Sequence, residues 1–489
     1  MNSRSLLISV ALAGTLFAGH AATITVTTTA SAGAGSLSAA LSAIQAGDTI
    51  AFNIPGDGPH VIATPPGGHP LITAHNVTID GYTQPGSAPN SNGILAANNA
   101  RIGIVLDSRN GNYRLMDFPG DTPNDQTGYG DTEAAVLGIL GATNVTIRGL
   151  SVLSVPGVDD VDVYGISFAK GANGRVSGCW IGIAPDGETL AAPKDGVTGF
   201  RYRRRDENNA VLEDILTSGI VIGVPVGAAD APGDFNVFCG IPAIPTIIEG
   251  QDLRFSGNFF NVFPDGLRDY NPALDGLSGT FEGNIEIGRA GNNTVIGVDG
   301  DGVNDEHERN VFSGVVPPSL GGYQHNLEFY GQTPGTNIVI AGNYFGVGVD
   351  GATRFTNGVP VLNAPGGAAT YRFGSNLDGV SDDLEANVVF NNWPPDLFPA
   401  FEMGANPPAL NFFSQLATSG SVSARGNVLI NNFPFPASPL RNGGAFLADY
   451  YAKALADAAS GVEPVISEQS TGQRLKGTVP APNAEHPTV

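Results

Sequence analysis

The chain predicts an all-β parallel solenoid, on three observations. One block recurs with fixed internal spacing. Gly178-Cys179-Trp180-Ile181-Gly182 leads to Asp186-Gly187, Gly257-Asn258-Phe259-Phe260 to Asp265-Gly266, and Gly342-Asn343-Tyr344-Phe345-Gly346 to Asp350-Gly351, always with eight residues from the first Gly to the Asp. A second block recurs between them: Gly223 leads to Asn236-Val237-Phe238, Gly297 to Asn310-Val311-Phe312, and Gly374 to Asn387-Val388-Val389, each over thirteen residues. Inside both blocks the apolar runs are short, β-rich and punctuated by Gly, Asn and Asp, which is strand–turn chemistry rather than helix chemistry. Such a run cannot bury its apolar face alone, whereas stacked copies seal a continuous core and share backbone hydrogen bonds between neighbouring coils. A composite repeat of about 75–85 residues would hold three or four coils of roughly twenty-odd residues. Asn and Gly at the corners suit tight bends, because both tolerate positive φ. A β-sandwich or propeller would leave cleaner hairpin patterns between equal strands.

The frame Gly342-Asn343-Tyr344-Phe345-Gly346, Asp350-Gly351, Asn357-Gly358-Val359 resembles repeats of bacterial secreted right-handed parallel β-helix proteins of the pectin-lyase-like kind. So does Val295-Ile296-Gly297 with Arg309-Asn310-Val311-Phe312-Ser313-Gly314. The resemblance covers roughly residues 140 to 435 and is degenerate: no Asn-Gly-Val trails Phe255–Gly266, and no Arg precedes Asn236. It implies a single right-handed parallel β-helix. That family includes polysaccharide lyases and hydrolases, but also adhesins and tailspikes, so the fold alone does not fix an activity.

The chain has 489 residues, with 67 Gly, 35 Pro and only 14% charged residues, and no linker divides it. This suits one turn-rich β domain. The net charge of −23 would repel a phosphate backbone, which argues against a nucleic-acid partner. Residues 1–22 read as a secretory signal: Arg4 is the basic start, Leu6 to Phe17 the apolar run, and Gly19 and Ala21 the small residues before cleavage. The apolar run is too short to span a bilayer. The expected location is therefore secreted, periplasmic or cell-surface, with no membrane span in the mature chain.

The β-helix is expected over 23–444. Thr23–Thr29 alternates as an edge strand, and Ser36 to Gln45 follows with Leu37, Leu41 and Ile44 at helical spacing, capped by Ser36 and stopped by Gly47. This short helix covers the open end of the solenoid, which would otherwise expose core and unpaired backbone. Residues 445–460, rich in helix formers, predict a C-terminal helix, and 461–489 predict a disordered tail.

Two stretches depart from the repeat, 107–135 and 194–214, and sites live on such departures. The second holds Arg201, Arg203, Arg204 and Arg205, four of the 23 basic residues within five positions. The resemblance implies an Arg or Lys base on the outer face, often beside Ca²⁺, acting on uronic-acid polymers. Arg203, Arg205 and Lys194 are accordingly catalytic candidates, His325 is another as an acid–base group close in sequence to Tyr323 and Glu328, and Arg201, Tyr202 and Tyr323 are the substrate-binding ones. Cationic side chains also pair naturally with sugar carboxylates. The bland alternative is a solvated loop in which these arginines pair with Asp206, Glu207, Glu213 and Asp214. Hydrolases on this fold use paired carboxylates, and no pair stands out by sequence. Trp180 and Tyr344 share one repeat position, which suggests packing.

Asp299, Asp301 and Asp305 form an oxygen-rich loop with Gly turns, suited to calcium. The next copy has Asp378 and Asp382 at the same place, which favours turn formation instead. Cys179 and Cys239 lie two to three coils apart, farther than a disulfide reaches, so two separate thiols are expected, with a disulfide as the alternative. The functional expectation is a carbohydrate-active enzyme, a polysaccharide lyase or glycoside hydrolase working on an extended polysaccharide or cell-surface glycan. The alternative is a non-catalytic surface, matrix or adhesin-like binding protein.

Overall fold

A computed structural model describes residues 21–116, 133–159, 161–206, 208, 210–228, 232–270, 283–289, 291–313, 325–330, 335–355, 362–364, 370–390, 413–416, 421–425, 428–430, 465–466 and 477–478. The signal segment to residue 20 and the helix expected at 445–460 lie outside the described residues. Within the stretch read as a tail, Val465–Ile466 pairs antiparallel with Gly477–Thr478.

The chain winds through three long parallel sheets in turn. Sheet I runs from Thr23–Val26 through Thr49–Phe52, Thr78–Asp80, Val145–Arg148, Gly174–Ser177, Val221–Gly223, Arg254–Ser256, Val295–Gly297, Ile338–Ala341 and Thr370–Gly374 to Ser421–Arg425. Sheet II stacks His60–Ala63, Ile104–Asp107, Leu150–Leu153, Trp180–Ile181, Asn236–Phe238, Asn258–Phe260, Asn310–Phe312, Tyr344–Phe345, Val388–Phe390 and Val428–Ile430. Sheet III stacks Glu133–Leu140, Val161–Ala169, Asp195–Phe200, Ile244–Gln251, Ile285–Gly288, Leu327–Tyr330, Leu362–Ala364 and Phe413–Leu416. This is a single parallel β-helix. Each strand bonds to the strand one coil above, so no coil is stable without its neighbours.

The inward rows explain why short apolar runs suffice. On sheet I one row reads Ile50, Ile79, Ile147, Val176, Ile222, Phe255, Ile296, Ile340 and Phe373, each in register with the next and each fully buried. On sheet II, Phe238, Phe260, Phe312 and Phe345 stack with centroids 5.2, 4.8 and 4.7 Å apart, the spacing that backbone pairing imposes between coils.

The repeated Asn residues do not make bends. Asn236, Asn258, Asn310, Asn343 and Asn387 are buried, and each amide nitrogen donates to the next Asn Oδ1, at 2.9 Å for the first three links and 3.1 Å for the last. The left-handed turn falls to the preceding Gly, Gly257 or Gly342. Each composite repeat is two coils, not three or four, because loops lengthen the connections. One coil carries the Asp-Gly turn: Asp186, Asp265 and Asp350 accept from backbone N–H groups two and three residues on. The next coil carries the longer loop between sheets I and II, 224–235, 298–309 or 375–386. The two sequence blocks are thus alternate coils.

At the N-terminal end, Leu37–Ala43 is helical, with the Ser36 hydroxyl accepting from the Ala39 N–H at 3.2 Å. Its Leu37 and Leu41 join the central core beside Val26, Ile50 and Phe52, so the helix plugs the open end as its apolar spacing requires. Among the described residues no helix is long and apolar enough to cross a membrane.

Candidate functional site

Both departures from the repeat are anchored on sheet III. Arg114–Leu115, in the first, pairs antiparallel with Ala134–Ala135. In the second, Asp195–Phe200 is a regular rung of sheet III rather than an irregular loop. Only then does the chain leave as a hairpin, Tyr202–Arg205 against Val211–Ile215, with Arg203 opposite Asp214 and a bulge after Arg204. Met116 from the first stretch and Phe200 and Tyr202 from the second share one buried cluster with Tyr164, apart from the central core. The described ends of the first departure and the base of the second therefore share one face.

Beside that cluster lies a charged depression of about 320 Å³ lined by Arg201, Asp214, Leu216 and Arg289. Arg201 grips Asp214 with Nε and Nη2, and Arg203 Nη2 reaches the same carboxylate at 3.2 Å. Glu249 ties two coils together: its Oε2 accepts the Arg201 backbone N–H at 3.0 Å, and its Oε1 accepts Arg289 Nε at 2.8 Å. Arg289 sits at φ 67° just past its strand, which turns its side chain back toward Glu249. In register with Glu249 are Gly288 and then Tyr330. Gly288 is required there, since a Cβ would lie 2.5 Å from Tyr330 Cζ. Burial, with Glu249 and Glu286 nearby, keeps the Tyr330 hydroxyl protonated well above its ordinary range.

One step along the strands, Glu286 and Glu328 are direct register partners on adjacent coils. Buried His325 lies with Nε2 2.8 Å from Glu328 Oε2 and 3.6 Å from Glu286 Oε1. Burial opposes a charge on His325, but the Glu286 and Glu328 carboxylates beside its Nε2 outweigh it and push its pKa up to about 9. Near neutrality this is an imidazolium between two carboxylates: one group able to give a proton beside groups able to take one. The same three residues could also hold a cation, with ligand atoms within 4.8 Å of one another.

The sequence candidates separate. Arg201, Arg203 and His325 fall on this face. Tyr202 is buried under Lys170, whose Nζ lies 5.0 Å from the ring centroid. Lys194 stands at the opposite end of the Asp195–Phe200 strand, about 20 Å of chain from Arg201 at strand rise, and pairs with Asp162 at 2.6 Å. Of Arg205 only the backbone is described, and Tyr323 lies outside the described residues. Sequence reasoning missed Glu249, Glu286 and Arg289. The available sign was a Glu between apolar residues at one register, in Ile285-Glu286-Ile287 and Leu327-Glu328-Phe329.

Asp299, Asp301 and Asp305 lie in the loop between sheets I and II, away from this face. Cys179 and Cys239 are separate buried thiols.

Fold and face together describe a parallel β-helix with a charged, partly apolar surface on its third sheet. No family model and no curated protein matches the chain. Among solved structures it is similar to a pectate lyase variant from Xanthomonas campestris, at 11% identity and a TM-score of 0.23, covering 87% of this chain and 84% of that one.

Proposed function

We propose that this protein is carbohydrate-active, a polysaccharide lyase that takes a uronate-containing glycan across the outer face of sheet III. The carrying observation is that Arg201 and Arg289 line one depression, both fixed by Glu249, in a protein of net charge −23. Three guanidiniums, Arg201, Arg203 and Arg289, meet two carboxylates, Asp214 and Glu249, here, and that local excess in an acidic protein suits an anionic ligand with paired acceptor oxygens. Elimination needs a cation on the sugar carboxylate, a base for the adjacent carbon-bound proton, and an acid for the leaving oxygen. Arg201 and Arg289 answer the first, a Glu328 or Glu286 carboxylate the second, and the His325 imidazolium the third. Arg203 supports Asp214 in this scheme, and its pairing leaves it poorly suited as a base.

Hydrolysis is the second reading. It is favoured by the Glu286 and Glu328 carboxylates standing side by side in register on adjacent coils, a pair of acids of the kind glycosidases use. A panel of uronate-containing and neutral polysaccharides separates the readings. Elimination gives absorbance near 235 nm, whereas hydrolysis gives reducing ends without it. R201A/R289A should abolish action on acidic glycans while E328Q removes turnover but keeps binding. Binding without cleavage across the panel would mean an adhesin-like protein, and neither binding nor cleavage would end the carbohydrate reading.

A further inference from the structure

We propose that the loop Val298–Arg309 carries one structural calcium site, formed by Asp299, Asp301 and Asp305. The site lies between sheets I and II and is independent of what the sheet III face does. Carboxylate oxygens of the three residues lie within 4.8 Å of one another. Oxygens sharing one Ca²⁺ at 2.3–2.6 Å can be at most about 5 Å apart, whereas a Mg²⁺ shell closes to about 4.2 Å. Separations inside that limit can be bridged by one Ca²⁺.

A second observation points the same way. Asp305 is only 1% exposed, its Oδ2 accepts from the Gly302 N–H at 3.0 Å, and its Oδ1 has no hydrogen-bond donor. A buried carboxylate oxygen left without a donor is costly. The charges agree. Arg254 reaches Asp299 and Glu308, and Arg372 reaches Glu385 and the Asp299 carbonyl. Two guanidiniums thus face five carboxylates, counting Asp301 and Asp305, and a divalent cation would relieve most of the excess.

The next copy of this loop is an internal control. It repeats the backbone pattern: the Asn376 N–H donates to Glu385, Asp378 to Asn376, Gly379 to Asp382 and Val380 to Asp378, matching Asp299, Asp301, Gly302 and Val303 in the first. Of the side chains that differ, two bear on the acids. Ser375 stands where the first loop has Val298, and its hydroxyl donates to Asp382 Oδ1 at 2.6 Å, which supplies the donor Asp305 lacks. Asn376 replaces Asp299, and its amide donates to Asp378 at 2.9 Å. The second loop is self-satisfied by neutral donors, whereas the first has an extra carboxylate and an orphan oxygen. Turn formation accounts for what the loops share, and a cation accounts for how they differ. Loop carbonyls and water would complete the shell of six to eight oxygens.

The test is calorimetric titration of the EDTA-stripped full chain with CaCl2 alone, paired with thermal melting. The expected result is one site per chain and a melting temperature several degrees higher in millimolar calcium, with MgCl2 much weaker. V298S/D299N, which writes the second loop's pattern into the first, should lose both the binding heat and the calcium-dependent rise in melting temperature, whatever its baseline shifts through the altered Arg254–Asp299 contact. D382N should bind as wild type does. Should V298S/D299N fail to fold, D301N at an exposed position should still weaken binding by roughly an order of magnitude, as loss of a charged ligand does. No heat and no calcium-dependent melting in the wild type overturns the site. So does binding that survives both V298S/D299N and D301N, or binding lost in D382N.

Discussion

Arg289 donates to Glu249 across one coil of the β-helix, 2.8 Å from Nε to Oε1, while the other oxygen of Glu249 holds the Arg201 backbone N–H. One buried carboxylate therefore sets both walls of the sheet III depression. Its removal is expected to cost stability as well as function. E249A would strand the Arg201 N–H and free Arg289, for roughly 2–4 kcal/mol, the range seen when one partner of a buried charged contact is deleted. R289A should cost far less in melting temperature, since its side chain is 45% exposed. Thermal melts of the two variants give the contrast, and equal losses would show that Glu249 is not the organising group.

His325 makes stability fall with alkaline pH. Its folded pKa is raised from 6.5 to about 9. Below pH 6.5 both folded and unfolded chains hold the proton and the full contribution is present. Between 6.5 and 9 the unfolded chain releases it while the fold keeps it, so the contribution drains away and is gone above 9. A raised pKa of this size corresponds to about 3 kcal/mol. Melting curves from pH 6 to 10 should show the wild type losing ground relative to H325Q, and parallel curves would place the proton elsewhere.

The Asn ladder and its exposed counterpart predict unequal losses. Asn310 donates to the Phe255 carbonyl at 2.8 Å and to Asn343 at 2.9 Å, and accepts from Asn258 through both backbone and side chain. N310A removes four buried contacts, although Asn258 Nδ2 keeps the Ile222 carbonyl and Asn343 Oδ1 keeps the residue 310 N–H, so about 3 kcal/mol is expected. Asn337, which donates to Asn293 at 3.2 Å at an exposed corner with φ 58°, should cost about 1 kcal/mol as N337A, because water replaces the lost bond and the left-handed penalty is what remains. Denaturant midpoints at unchanged slope measure both.

These sites show how much of the molecule could be read in advance. Parallel coils were legible because a stacked fold must repeat its spacing, and Gly-to-Asn and Gly-to-Asp distances survive in sequence. The role of the repeated Asn was not. A buried ladder Asn and a left-handed corner Asn look alike until register shows Asn258 over Asn310 and the bend on Gly257. Coil length was misjudged because Asp-Gly turns and acid loops add residues without adding rungs. Arg201 and Arg203 mark the sheet III face because the hairpin leaves the coil there. Their partners Glu249, Arg289 and Glu286 stayed hidden, since they come from coils forty and more residues later and only stacking brings them together.

Two glycines test the backbone reading. Gly297 has φ 95°, and a Cβ there would lie 2.0 Å from the Ala341 carbonyl oxygen. Gly351 has φ 66° with open space around it. G351A should cost only the left-handed penalty of about 1–2 kcal/mol. G297A should cost more, because the sheet I rung above must also shift. Comparable melting temperatures for the two variants would mean that the coils yield at that corner.

The cysteines give a prediction independent of any glycan. Cys179 and Cys239 are both fully buried, and burial pushes the Cys179 thiol up to about 12. Thiolate, not thiol, reacts with alkylating agents, so burial shields both sulfurs in the folded chain and the raised pKa further protects Cys179. Iodoacetamide at pH 8 should add nothing to the native protein and two carbamidomethyl groups after unfolding without reductant. Mass spectrometry reads both states. One adduct on the native chain would place a thiol at the surface, and none after unfolding would mean the two sulfurs are joined.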